Sequence, residues 1–310
     1  MLTYTKLSKR PESFRSFSGL TVEEFDKLYS IVKDEYKEHE KQRLNKKKRI
    51  KAVGQGRKFK LPVKDRLLML LIYYRLYTSY ELVGYLFDLD RSNVYRDIKY
   101  LELLVKRCIP IPEKIHKRTK KIGTLKELLE YYPEMKAFLD ATEQEIPRPK
   151  NRRRRKSHYS GKKKKHTVKT QLLVNKEGFI LHKSNYHRGR DHDYNVWKKT
   201  DPFIPKDVEV GMDLGYQGIK NDFPNLKSIL PIKKSRGGKL TGKEKRFNKK
   251  FSRKRIVVEH VIARIKKFRI IGEEFRNNLK SYNTKTSIVT GLVNFKSMVK
   301  NNKDVMSFVV

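Results

Sequence analysis

The stretch HTVKTQLLVNKEGFILHKSNY, residues 166–186, holds two runs of β-branched and apolar residues on either side of Asn175–Gly178. Runs of this length, broken by an Asn and a Gly that tolerate a tight turn, read as the two strands of a hairpin. Outward from it, KAFLDAT (136–142), DVEVGMD (207–213) and SILPIKK (228–234) read as further short strands, the second alternating Val208, Val210 and Met212. Helical patterns lie between and after them: RDHDYNVWKKT behind the hairpin, with Trp197 as its core residue, a long pattern over 243–268, and a last one within 281–300. Strand, two strands, helix, strand, strand, long helix predicts an α/β domain over 135–310 with mixed strand directions.

Upstream, the pattern is helical. TVEEFDKLYSIVKDEYKEHEK (21–41) opens on a capping box, Thr21 with Glu24, and keeps Phe25, Leu28 and Val32 at helical spacing. RLNKKKRIKAVGQGRKFKLP (43–62) reads as a flexible basic connector; its Gly-Gln-Gly is too short a match to argue a phosphate cradle. Three helices follow: VKDRLLMLLIYYRLY, then SYELVGYLF capped by Ser79, then, after the turn DLD, RSNVYRDIKYLELLVKR. Two short helices across a three-residue turn make a helix-turn-helix pattern. In that arrangement Arg91, Ser92, Asn93, Tyr95 and Arg96 face base edges and Lys99 reaches phosphate. A helical hairpin used only for packing has the same pattern, and the basic charge tilts the reading toward DNA. The chain then divides into an N-terminal helix and linker (1–50), a helical DNA-binding region (51–134) ending in TLKELLEYYPEM, and the α/β domain.

Charge narrows the partner. Lys and Arg number 75 and Asp and Glu 34 in 310 residues, a formal net charge of +41. Such an excess opposes compaction and favours a polyanionic partner, nucleic acid first, because each phosphate contact releases condensed counterions. A membrane surface is the weaker alternative, since the basic residues are spread along the chain rather than set on one amphipathic segment. The longest apolar-aromatic run, LLMLLIYY (67–74), is too short to span a bilayer, and the N-terminus has no apolar core of a secretory signal. The single cysteine, Cys108, excludes an internal disulfide framework and fits a reducing cytosol. One basic run stands apart: PRPKNRRRRKSHYSGKKKKH (147–166) holds eleven Lys and Arg between two predicted strands. A loop inserted over 147–165 and anchored at both ends suits DNA backbone binding, through Arg152, Arg153, Arg154, Arg155, Lys162, Lys163, Lys164 and Lys165.

Against this background the acids at strand ends stand out. Asp140 and Asp213 each close an apolar strand, where ligands of open α/β sheets gather. RIVVEHVIARIKKF (255–268) carries a single acid, Glu259, among Arg255, Arg264, Lys266 and Lys267. Three carboxylates from separate elements suit Mg²⁺, and two such ions can activate a nucleophile and stabilise a leaving oxygen on a phosphodiester. Each acid also has a plain structural role open to it. Asp140 can be a strand-end turn residue, Asp213 can start the Gly-rich turn LGYQG by bonding its own backbone, and Glu259 can pair with Arg255 four residues earlier. HRGRDHD (187–193) offers His187, Asp191, His192 and Asp193 to zinc or a transition metal; the simpler reading has Asp191 capping the helix that follows, while Asp191 stays an alternative second acid.

Taken together, LDATE (139–143), YSGKKKKHTVKTQ (159–171), DLGYQG (213–218) and RKRIVVEHVIARIKK (253–267) resemble the catalytic domain of bacterial insertion-sequence transposases of the DDE class. That family's spacing of Arg, three residues, Glu, six residues, Lys is met by Arg255, Glu259 and Lys266; its Tyr three residues before the Arg is Ser252 here. The resemblance covers roughly 60–310. It implies an RNase H-like fold and a metal triad of Asp140, Asp213 and Glu259, with Mg²⁺, or Mn²⁺ in its place, as two ions. It also implies that Arg255 and Lys266 contact DNA near the reacting phosphate, and that a homodimer on DNA cuts the element's ends and joins them to target DNA. A transposase-derived DNA-binding protein without catalysis, or a basic RNA- or ribosome-associated protein, are the rival classes.

Overall fold

The hairpin is present and sits in the middle of a mixed sheet. The computed structural model describes residues 1–45, 59–305 and 307; the Gly-Gln-Gly of the basic connector and the boundary expected at residue 50 lie outside them. Two units divide the chain. One holds the described residues of Met1–Pro110, Lys267–Ile270 and Phe295–Val310, the other Ile111–Lys266 and Ile271–Asn294.

The first unit is helical: α1 (Tyr4–Leu7), α2 (Pro11–Ser18), α3 (Val22–Asn45), α4 (Val63–Leu76), α5 (Tyr80–Phe87) and α6 (Arg91–Cys108). Every residue of α4 from Leu67 to Tyr74 is buried, and a helix apolar on all sides has to be the central one. It packs against α2, α3, α5 and α6. The caps the sequence predicts at Thr21 and Ser79 are present, and Asp90 adds one more. Thr21 N–H donates to Glu24 Oε2 at 2.8 Å and Glu24 N–H returns to Thr21 Oγ1 at 3.1 Å. Ser79 Oγ accepts from Leu82 N–H at 3.1 Å, starting α5. Asp90 Oδ1 accepts from Ser92 N–H at 2.7 Å, starting α6. The turn between α5 and α6 closes on Gly84, where a Cβ would lie 2.4 Å from the Leu89 carbonyl oxygen. Arg66, buried beside this core, is satisfied by a two-pronged bond to Asp97, at 3.0 and 2.8 Å. Distant residues complete the unit. Arg75 Nη1 donates to the Lys267 carbonyl at 2.6 Å, Lys296 Nζ donates to the Gly19 carbonyl at 2.5 Å, and Phe268 lies against left-handed Gly19.

The second unit runs α7 (Pro112–Thr119), α8 (Leu125–Tyr131), β1 (Lys136–Glu145), α9 (Arg152–His158), β2 (Tyr159–Ser160), β3 (Lys165–Asn175), β4 (Ile180–Lys183), β5 (His187–Arg188), α10 (Asp193–Thr200), β6 (Glu209–Gly211), α11 (Ile219–Asp222), β7 (Ser228–Ile229) and α12 (Gly242–Lys266). Two helices, α13 (Arg269–Gly272) and α14 (Tyr282–Lys300), straddle the division. The strand order is β2-β3-β1-β6-β7, with β4 and β5 also on β3. β1 pairs antiparallel with β3 from Ala137–Asn175 to Glu145–Thr167, and parallel with β6 from Lys136–Glu209 to Phe138–Gly211. At the hairpin, Asn175 Oδ1 accepts from the N–H groups of Glu177 and Phe179 at 3.0 and 2.9 Å, and Gly178 takes φ +82°. Trp197 is a core residue of α10, as its pattern predicts.

Four details differ from the sequence reading. α7 and α8 belong with the sheet rather than with the helical region ending at 134: Ile115 is buried, α7 packs on β4, and the His116 and His182 rings meet at 4.6 Å. The helix expected in 1–50 is part of the α4 assembly rather than a separate piece. The strand expected over 228–234 stops at Ile229, two residues before Pro231, which has no N–H to give a ladder. The basic run is not a plain loop: Asn151 caps α9 by accepting from Arg154 N–H at 3.1 Å, and β2 joins β3.

Gly84→Ala is expected to cost about 1–3 kcal/mol by forcing the α5–α6 turn apart. Urea unfolding checks this as a lower midpoint at unchanged slope.

Candidate active site

Asp140 lies on β1 and Asp213 just past the end of β6. The parallel register pairs Phe138 with Gly211, and two further residues on each chain bring the two acids alongside one another. α12 packs on β1 and β3 through Phe251, Val258, Val261 and Ile265, all buried, which turns Arg255 and Glu259 toward the same place. Arg255 joins the acids: Nη1 donates to Asp140 Oδ2 at 3.0 Å and Nη2 to Glu259 Oε1 at 2.9 Å. The side chains of Arg255 and Asp140 are 18% and 19% exposed and that of Glu259 51%, so the bridge spans from half-buried to open.

Burial pushes the Asp140 carboxyl above its ordinary value. The Arg255 guanidinium and the Ala141 N–H, donating at 2.8 Å, pull it back without cancelling the rise, and the charge of Asp213 adds to it. Asp213 also makes the bond its turn role requires, accepting from Gly215 N–H at 2.9 Å. The local roles open to Asp213 and Glu259 are therefore real, and what goes beyond them is the contact from Arg255 to Asp140, 115 residues away.

Behind the acids stands a polar layer that the sequence reading missed. Lys169 of β3 is buried, with Asp193 at 2.7 Å, Glu143 at 3.6 Å and the Asp191 carbonyl accepting at 2.8 Å. Gln171 Nε2 donates to the Tyr216 hydroxyl at 2.8 Å and to the Asp193 carbonyl at 2.6 Å. Tyr216, fully buried, is held far above the usual phenol range by burial and by the charges of Asp193, Asp213 and Asp140, so it stays a neutral prop under the Asp213 turn. The available signal was a Lys and a Gln two residues apart on a strand whose residues from Thr167 to Asn175 are all buried.

The Asp191 side chain pairs with Lys199 at 3.5 Å and His187 at 4.0 Å, while its carbonyl accepts from Lys169 in that polar layer. It does not cap α10: the cap residue is His192, with no side-chain bond, because the helix starts at Asp193. Among the described residues no three His, Cys, Asp or Glu side chains converge to hold a metal, the 187–193 cluster included. Asp140 and Glu259 instead share one cation, the guanidinium of Arg255. Their hard oxygens, open toward a positive group, are the donor set a divalent ion takes.

The basic groups fall into two kinds. Arg152, Arg153, Arg154, Lys162, Lys163 and Lys164 are exposed with no acid at ion-pair distance among the described residues. Lys165 pairs with Glu145 at 2.7 Å, and Arg155 donates to the carbonyls of Pro149 and Lys150. Lys266, at the end of α12, is pulled below its usual value by partial desolvation and by Lys163; like charges held together form a place for an anion. On α6, Arg91, Ser92, Asn93, Tyr95 and Arg96 are exposed, while Val94, Ile98 and Leu101 face the core. Arg96 donates to Asn93 at 3.2 Å, and Lys99 is drawn to buried Glu102 at 3.7 Å.

Comparison with known proteins gives the family. Residues 139–294 match the family described as DDE superfamily endonuclease, and residues 59–110 match the helix-turn-helix of DDE superfamily endonuclease. The chain belongs to the DDE superfamily of insertion-sequence transposases, and its mixed sheet with flanking helices is of the RNase H-like class. It is 31% identical over 290 residues to the probable transposase for insertion sequence element IS702 of Microchaete diplosiphon, covering 93% of this chain and 95% of that one. No solved structure matches. Among the described residues no helix is long and apolar enough to cross a membrane.

Because the folded state holds the Asp140 proton more tightly than the unfolded chain, stability falls as pH rises from about 4 through the raised value. In EDTA, Asp140→Asn is therefore expected to raise the thermal midpoint at neutral pH, with the gain shrinking as pH is lowered toward the carboxylate range. A lower midpoint at neutral pH would contradict it.

Proposed function

We propose that the chain cuts DNA at the ends of its insertion sequence and joins the freed 3′ ends to target DNA. The observation that carries this reading is the single cation shared by Asp140 and Glu259, with Asp213 alongside. Asp140, Asp213 and Glu259 are the residues that would hold Mg²⁺ or Mn²⁺, as two ions. Bound there, such ions supply activation of the attacking oxygen and stabilisation of the leaving one. The chain's own groups do the rest. Arg255, once released from the acids, is the nearest donor for the reacting phosphate, and its planar fork suits phosphate oxygens. Lys266 with Lys163 holds a neighbouring phosphate. Tyr216 and Gln171 keep the Asp213 turn from moving.

Recognition is assigned to the helical unit, with Arg91, Ser92, Asn93, Tyr95 and Arg96 at base edges and Lys99 at the backbone. Arg152–Arg155 and Lys162–Lys165 hold backbone by charge. Pairing two element ends calls for two copies on the DNA. A non-catalytic DNA-binding protein is the other reading. Ser252, in place of the family's Tyr and exposed on α12, permits it without arguing for it, since all three acids are present.

With a plasmid carrying the gene and its flanking DNA, Mg²⁺ or Mn²⁺ is expected to give cuts at fixed positions. Asp140→Asn, Asp213→Asn and Glu259→Gln should each reduce cutting on the order of 10²–10³-fold or more while retaining DNA binding. Binding without cutting in either metal would replace this reading with the non-catalytic one. In duplex-binding titrations, Asn93→Ala should lose about 1–3 kcal/mol of discrimination at one base pair. Lys162→Ala with Lys163→Ala should weaken all sequences alike and lower the salt slope by about 2.

A further inference from the structure

Beside the acids, α12 and the sheet enclose a cavity of about 210 Å³ that no step above uses. Its floor is Phe138 of β1 and Gly211 of β6, and its wall is Phe247 and Phe251 of α12. The two α12 rings stack at 6.3 Å with planes 8° apart, and Phe247 is 42% exposed. Gly211 keeps the space open, because a Cβ there would meet Phe138 at 2.8 Å and Phe251 at 3.2 Å. Glu209 of β6 also lines it, and Lys250 and Lys254 stand on its rim, exposed and with no acid at ion-pair distance among the described residues.

The position matters as much as the lining. Phe138 precedes Asp140 by two residues on the same face of β1, roughly 7 Å. Phe251 precedes Arg255 by one helical turn, about 6 Å. A flat aromatic slot edged by unpaired lysines has the chemistry of a base-stacking platform with backbone cations. An aliphatic partner surface would leave those lysines unanswered. We propose that the cavity receives one unpaired nucleobase of the DNA strand being processed, stacked on Phe247, with its flanking phosphates on Lys250 and Lys254. The proposal rests on the reading of the chain as a DNA-processing enzyme.

The test uses the full-length protein in EDTA, so that cutting plays no part and failure of the cleavage reading leaves the outcome intact. A short single strand carrying 5-iododeoxyuridine is bound, irradiated, and the attached peptide mapped by mass spectrometry. The label is expected on the peptide holding Phe247 and Phe251. Phe247→Ala should abolish the attachment and weaken binding of that strand about tenfold, while leaving a strand of abasic sites unaffected. Phe247→Trp should retain both, and Lys250→Ala with Lys254→Ala should weaken both strands. Label confined to other peptides would overturn the proposal. So would equal effects of Phe247→Ala on the two strands, or a change in sedimentation of the DNA-free protein in place of a binding defect, which would assign the cavity to a second copy.

Discussion

The site depends on β1 being paired along both edges. Its antiparallel ladder with β3 runs the length of the strand, and the parallel ladder with β6 fixes where Asp213 emerges. Side chains alternate across a strand, so a slip of one residue would send Asp140 to the opposite face. The two ladders together forbid that slip. α12 is fixed by its own buried residues, not by the acids it faces. The carboxylates are thus brought together by packing elsewhere, against their mutual repulsion, and Arg255 offsets the part of that repulsion falling on Asp140 and Glu259.

Much of this was legible because it is local. The hairpin at Asn175–Gly178, the capping box of α3, the cap of α5 and the stripe of α12 are all set by residues within a few positions of each other. Local logic failed where burial chooses between cores. The apolar face of α7 says that it packs, but not that it packs on β4. The acids show the same limit. Read singly, Asp213 is a turn residue and Glu259 an ion-pair partner, and the structure contains both bonds. The Arg255–Asp140 contact crosses the whole domain sequence, and no spacing rule contains it. The Asp191 cap missed because a helix start one residue later costs nothing in pattern.

A net charge of +41 hides two populations of cations. Arg66 and Lys169 are buried and ringed by acceptors, where removing a partner would strand a charge inside the protein. Arg152, Lys163 and Lys254 face solvent with no acid beside them among the described residues. Only the second kind is free to meet phosphate, and composition counts both alike.

The chain leaves the helical unit after Pro110, returns for Lys267–Ile270, and returns again from Phe295. Synthesis proceeds from the N-terminus, so the residues that complete this unit, Phe268 and Lys296 among them, are made after the whole sheet. A message broken anywhere in the sheet yields a protein whose recognition helices lack their closing contacts. For the same reason a single crossover between relatives cannot exchange one unit whole, since any one joint leaves a piece of it behind in the other.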